Sequence, residues 1–182
     1  MLRTFGLIVL IATMTSGCTP VKLAPETEER IRNIGFKEDV AVYPPKGLVN
    51  EPIGRFMKHH GIDLGAILLT EFQKQVVKHP KFRQKSFGPS STHRDAMFEL
   101  EVTVPIASPA VSFSDEYVLR FDVWVRLVAP DGEKLWEAYD YPTGLNSQLR
   151  SHTAKELNDP KHLEDALRKI SEVVVAMLME RL

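Results

Sequence analysis

Apolar and polar residues recur along this chain with two different periods. The strictest period of two runs through Met97–Val104, where Phe98, Leu100, Val102 and Val104 share one face and Glu99, Glu101 and Thr103 the other. That predicts a half-buried strand. Tyr117–Val128 carries the longest alternation, with Leu119, Phe121, Val123, Val125 and Leu127 as an inner row. Its outer row is Val118, Arg120, Asp122, Trp124, Arg126 and Val128. Asp131-Gly132 then predicts a two-residue hairpin turn with Lys134–Asp140 returning. In that register Arg126 faces Glu137, Trp124 faces Tyr139 and Leu127 faces Trp136. Charge and aromatic pairs both match, and a slip of one residue loses them. Asp39–Tyr43 reads as a shorter strand ended by Pro44-Pro45. Phe82–Phe87, beside Lys81, Arg83 and Lys85, reads as a lysine-protected edge strand.

The helical period appears twice. Asp63 is a candidate N-cap for a helix in which Leu64, Leu68, Phe72 and Val76 recur every four residues, closed by Pro80. Asp159-Pro160 opens a last helix with the stripe Leu163, Ala166, Leu167, Ile170, Val173, Val174, Met177 and Leu178. Before it, Thr153 and Glu156 have capping-box spacing for a single turn. Lys46–Gly61, broken by Gly47, Pro52, Gly54 and Gly61, reads as a loop. Pro105–Ser114 reads as an oddly apolar loop. These elements predict one α+β domain over residues 38–182, a mainly antiparallel sheet of four to five strands with two main helices packed on one face.

Ahead of that domain lies a different kind of segment. Arg3 precedes an apolar run, Phe5–Met14, too short to cross a bilayer. It ends in Thr15-Ser16-Gly17-Cys18, the last being the only cysteine. This resembles the lipobox of bacterial lipoproteins, with Thr15 where that family carries a leucine-like residue. The resemblance implies a signal peptide over residues 1–17 and an acylated Cys18 followed by a tether, residues 18–37. Several acyl chains on one cysteine hold a membrane far more firmly than one. Thr19 after the cysteine implies an outer-membrane address, on its periplasmic side.

Composition narrows the chemistry. A formal net charge of −1 argues against nucleic acid as a partner. With its single cysteine committed to lipid, the domain has no disulfide and no thiolate metal site to hold it. The element order resembles the periplasmic domain shared by the curli-secretion lipoprotein, the lipoprotein activators of penicillin-binding proteins and the amino-terminal domain of TolB. The residues that carry this are Tyr43-Pro44-Pro45, the helix Leu64–Val77, Asp95-Ala96, and Pro130-Asp131-Gly132 followed by Leu135-Trp136. It spans roughly residues 38 to 141 and implies a non-enzymatic protein that contacts other envelope proteins or builds assemblies, homo-oligomers included.

Candidate sites follow from the outer row. Trp124, Val128, Leu135 and Tyr139 form an apolar patch framed by Arg126 and Glu137, the composition of a protein interface. Ile106, Val111 and Phe113 give a second set of loop contacts. His59-His60 with Asp63 has metal-ligand residue types, but adjacent histidines diverge, so no metal and no cofactor is expected there. His152 and His162 read as surface residues. Glu99, Glu101, Asp122 and Glu137 read as a salt-bridged sheet face with Arg120 and Arg126, not an acid–base pair. No G-x-S-x-G, phosphate loop or dinucleotide fingerprint occurs. The expectation is a lipid-anchored, non-enzymatic binding subunit of an envelope complex. The alternative is an accessory protein for lipid or lipopolysaccharide transport, with a cleft between helix and sheet.

Overall fold

A computed structural model describes residues 23–44, 52–89, 94–110, 115–140 and 150–182. The architecture is α+β, with helices packed on one face of a sheet, as the patterning predicts. The elements are α1 (Pro25–Arg30), β1 (Asn33–Phe36), β2 (Ala41–Tyr43), α2 (Pro52–His60), α3 (Leu64–Val76), β3 (Ser86–Pro89) and β4 (Ala96–Thr103). They continue with β5 (Ile106–Pro109), β6 (Glu116–Arg120), β7 (Val123–Val128), β8 (Lys134–Asp140), β9 (His152–Thr153), α4 (Ala154–Leu157) and α5 (Pro160–Met179).

The main sheet runs β3-β1-β4-β7-β8, with β2 also on β4 beyond the end of β1. β4, β7 and β8 are antiparallel. β1 and β2 lie parallel to β4, and β3 parallel to β1. Among the described residues the sheet is therefore mixed and six-stranded, slightly larger and less antiparallel than the pattern predicts. A second sheet, β5-β6-β9, extends the β4/β7 ribbon. The alternation of Tyr117–Val128 is split where Asp122 leaves the ladder: its N–H donates to Thr103 Oγ1 (2.8 Å) while its carbonyl accepts from Thr103 N–H (3.0 Å). The apolar segment after β4 starts as strand β5, where a loop is expected.

Three further differences have local causes. Pro52 and Gly54 look like breakers, yet Pro suits the first turn of a helix, and burying Ile53 and Met57 one turn apart gives α2 its inner face. The segment around Phe82 is a series of turns, with Phe82 fully buried and the edge strand starting only at Ser86. The stretch read as tether contains α1 and β1. Leu23, Ile31, Ile34 and Phe36 are all buried, so the packed domain begins ahead of residue 38.

The core lies between sheet and helices. Phe98 stands at its middle, edge-on to Phe72, Phe82 and Trp136 and stacked on Phe36. α3 and α5 pack side by side over it. Asp63 caps α3 through Ala66 N–H (3.0 Å) and Asp159 caps α5 through His162 N–H (2.8 Å). Glu71, buried on α3, is held by Lys74 (2.9 Å) and by Arg168 of α5 (3.6 Å). No helix among the described residues is long and apolar enough to cross a membrane.

Candidate functional site: the open face of the sheet

The alternation that buries Phe98, Leu100, Val125 and Leu127 sends their neighbours to the opposite face. Register aligns them in rows across the strands. One row is Ala41, Glu101, Trp124 and Tyr139; the next is Glu99, Arg126 and Glu137. The expected pairs of Arg126 with Glu137, Trp124 with Tyr139 and Leu127 with Trp136 are all present.

The turn that makes them is not the two-residue one. Gly132 N–H donates to Ala129 O (2.9 Å) and Ala129 N–H to Glu133 O (2.8 Å), a three-residue loop with Gly132 at φ +89°. Such a loop shifts the register by one residue. An irregularity after Leu127 shifts it back: Val128 pairs with Lys134, leaving Leu135 unpaired. Leu135 consequently packs against the core and lines a surface cavity with Arg30, Ile31, Arg94 and Pro130. Among the residues expected in the outer patch, Leu135 is half-buried, as Glu137 is.

Trp124 and Tyr139 lie with ring centroids 4.9 Å apart and planes inclined by 31°. Tyr139 Oη donates to Asp122 Oδ1 (3.3 Å), and the ring stays 38% exposed. Below them Arg126 bridges two strands, its Nε donating to Glu137 (3.0 Å) and its Nη1 to Glu101 (2.8 Å). Lys134 takes the other oxygen of Glu137, and Lys37 holds Glu99 at 3.2 Å. The hydrogen bond from Lys134, reinforced by Arg126, lowers the Glu137 pKa below the ordinary carboxylate value. The hydrogen bond to Glu137, with help from Glu101, raises that of Arg126. These carboxylates are acceptors in a charge ladder, which suits recognition better than proton transfer.

One member of the face escaped the sequence reading. Tyr43, 47% exposed, shares the outer side of β2 with Ala41, beside the Trp124 row. Its signal was the alternation Ala41–Tyr43 just before Pro44. Of the second set of expected contacts, Ile106 is half-buried on β5 opposite Arg120, while Val111 and Phe113 lie outside the described residues, as does Cys18. Asp63 is committed to capping α3, and His59 and His60 are exposed at the end of α2. Lys81 and Lys85 are tied to the main-chain oxygens of Leu182 and Glu28.

No protein-family model matches the chain, and no curated protein matches its sequence. Solved structures of similar backbone course include a Xanthomonas campestris protein of the family DUF330, at 12% identity and TM-score 0.43, covering 82% of this chain and 84% of that one. A minor lipoprotein from Acinetobacter baumannii is similar at 11% identity and TM-score 0.44, over 82% and 90% of the two chains. An uncharacterized lipoprotein B from Nitrosomonas europaea is similar at 14% identity and TM-score 0.40, over 82% and 80%.

Proposed function

We propose that this chain is a lipid-anchored envelope protein that acts by binding another envelope protein through the open face of its sheet. The observation that carries the reading is the asymmetry of the sheet. One face is sealed by α3 and α5; the other presents Tyr43, Trp124 and Tyr139 above an Arg126 ladder. Aromatic rings on a rigid platform lose little entropy on binding, and an arginine beneath them adds directional hydrogen bonds. The anchor is Cys18, through the lipobox-like Ser16-Gly17-Cys18, which sets the globule at a membrane surface on the periplasmic side of the outer membrane. No catalytic role and no cofactor is assigned to the platform. The transport-accessory alternative needs a cleft between helix and sheet, and that space is filled by Phe72, Phe98 and Trp136.

A photo-reactive amino acid placed at Tyr139 tests this in intact cells of the native host. Discrete cross-linked partners are expected at Tyr139 and Tyr43, and none from Glu172, exposed on α5. Trp124→Ala with Arg126→Ala is expected to abolish the cross-link from Tyr43. Equal products from Glu172 would reject the face as the docking surface. Intact mass of host-made protein tests the anchor, with an unmodified Cys18 thiol rejecting it.

A further inference from the structure

Two histidines that look like scattered surface residues in the sequence meet in the fold. His152 on β9 is buried, and His162 sits in the first turn of α5. His152 Nδ1 and His162 Nε2 face each other at 3.1 Å. The carboxylate of Glu156, on the single turn of α4 between them, lies 4.0 Å from His162 Nε2. One ligand atom from each residue falls within 4.8 Å of the other two.

We propose that His152, Glu156 and His162 form a binding site for a divalent transition-metal ion of the zinc class. Zinc–nitrogen bonds of 2.0–2.1 Å in a tetrahedral site place neighbouring ligand atoms about 3.3 Å apart. The two imidazole nitrogens already stand near that spacing, and a small rotation of Glu156 brings in its Oε1. Two nitrogens and one carboxylate oxygen are the donor set of open zinc sites, which leave the fourth position to water. Glu156 and His162 line one surface cavity with Asp165, and His152 and His162 line a second that shares Asp165, so water can reach the cluster.

Pairing of β9 with β6 places His152, and helix caps orient the other two residues. Glu156 Oε2 accepts from Thr153 N–H (2.8 Å) and Oγ1 (3.2 Å), which turns Oε1 toward His162. Asp159 holds the backbone of His162, fixing the start of α5. Arg150 donates to Glu156 Oε1, so a guanidinium now occupies the cationic place beside the carboxylate. Metal entry requires this arm to swing away, which makes Arg150 a competitor for the ion.

The full chain, purified in detergent and stripped of metal, is titrated with zinc chloride by calorimetry, with cobalt(II) as a visible-absorption probe of tetrahedral geometry. One equivalent is expected to bind and to raise the melting temperature. His162→Gln and His152→Gln are expected to weaken zinc roughly tenfold or more and to remove the cobalt band. Arg150→Gln removes no ligand and is expected to bind zinc more tightly, so the site stays testable even where a histidine variant unfolds. Zinc affinity unchanged in His162→Gln and Arg150→Gln, or no uptake by the unaltered chain, overturns the assignment.

Discussion

Phe98 touches more of the aromatic core than any simple strand position needs to. Its ring lies 5.0 Å from Phe72, 5.5 Å from Phe82 and 6.3 Å from Trp136, with no exposed surface. Truncation removes a central contact between sheet and helix, and Phe98→Ala is expected to cost about 3–5 kcal/mol in urea unfolding. His79 makes a second residue-scale prediction. Burial first, then Lys81, lowers its pKa below 6.5 against Glu28, and its Nδ1 is buried with no partner among the described residues. The unfolded chain therefore takes up a proton at higher pH than the folded one. Stability from the neutral ring is complete above pH 6.5 and declines as pH falls through that value toward the folded pKa. His152 is shifted the same way, so His79→Gln is expected to make the fall of melting temperature with acid shallower without abolishing it. An unaltered slope would refute this account.

At the scale of elements, ends matter as much as interiors. α3 starts where Asp63 satisfies Ala66 N–H, and Asp63→Ala is expected to cost about 1 kcal/mol, read from the chemical denaturation midpoint. The hairpin turn places Gly132 at φ +89°, a region that a side chain disfavours. Gly132→Ala is expected to cost about 1 kcal/mol, although a methyl there would meet nothing within 4 Å. The same hairpin shows how a right register can come from a wrong turn. Arg126 with Glu137 and Trp124 with Tyr139 were legible because their pairing energies select one alignment. The three-residue loop and the bulge at Leu135 were not, because two compensating single-residue shifts leave that alignment unchanged.

At the scale of the molecule, β1 is the element that closes the fold. It is central in the parallel half of the sheet, with β3 on one side and β4 on the other, and it buries Ile34 and Phe36. A chain starting at Asp39 is expected to be insoluble or to lack a cooperative melt, whereas one starting at Thr19 is expected to melt as the full domain does. Cooperative unfolding of the shorter chain would show β1 to be dispensable. Asp95 reinforces this junction: its carboxylate accepts from the N–H groups of Arg32 and Asn33, each at 2.8 Å, stitching β1 to the start of β4.

Sequence alone determined whatever depends on near neighbours. The alternations of β4 and β7, the apolar stripes of α3 and α5, the caps at Asp63, Thr153 and Asp159, and the lipobox-like ending at Cys18 are all written in spacings of a few residues. Tertiary structure decided what depends on which distant segments meet. It drew Asn33–Phe36 into the sheet between strands more than fifty residues away, and made a helix of Pro52–His60 by giving Ile53 and Met57 something to bury against. It also set His152 against His162, since a strand and a helix start that are ten residues apart in sequence converge only when β9 pairs with β6 and α5 docks on the sheet. A spacing constrains the dihedral angles of its own segment; the closure of two segments onto each other is selected by the whole core at once.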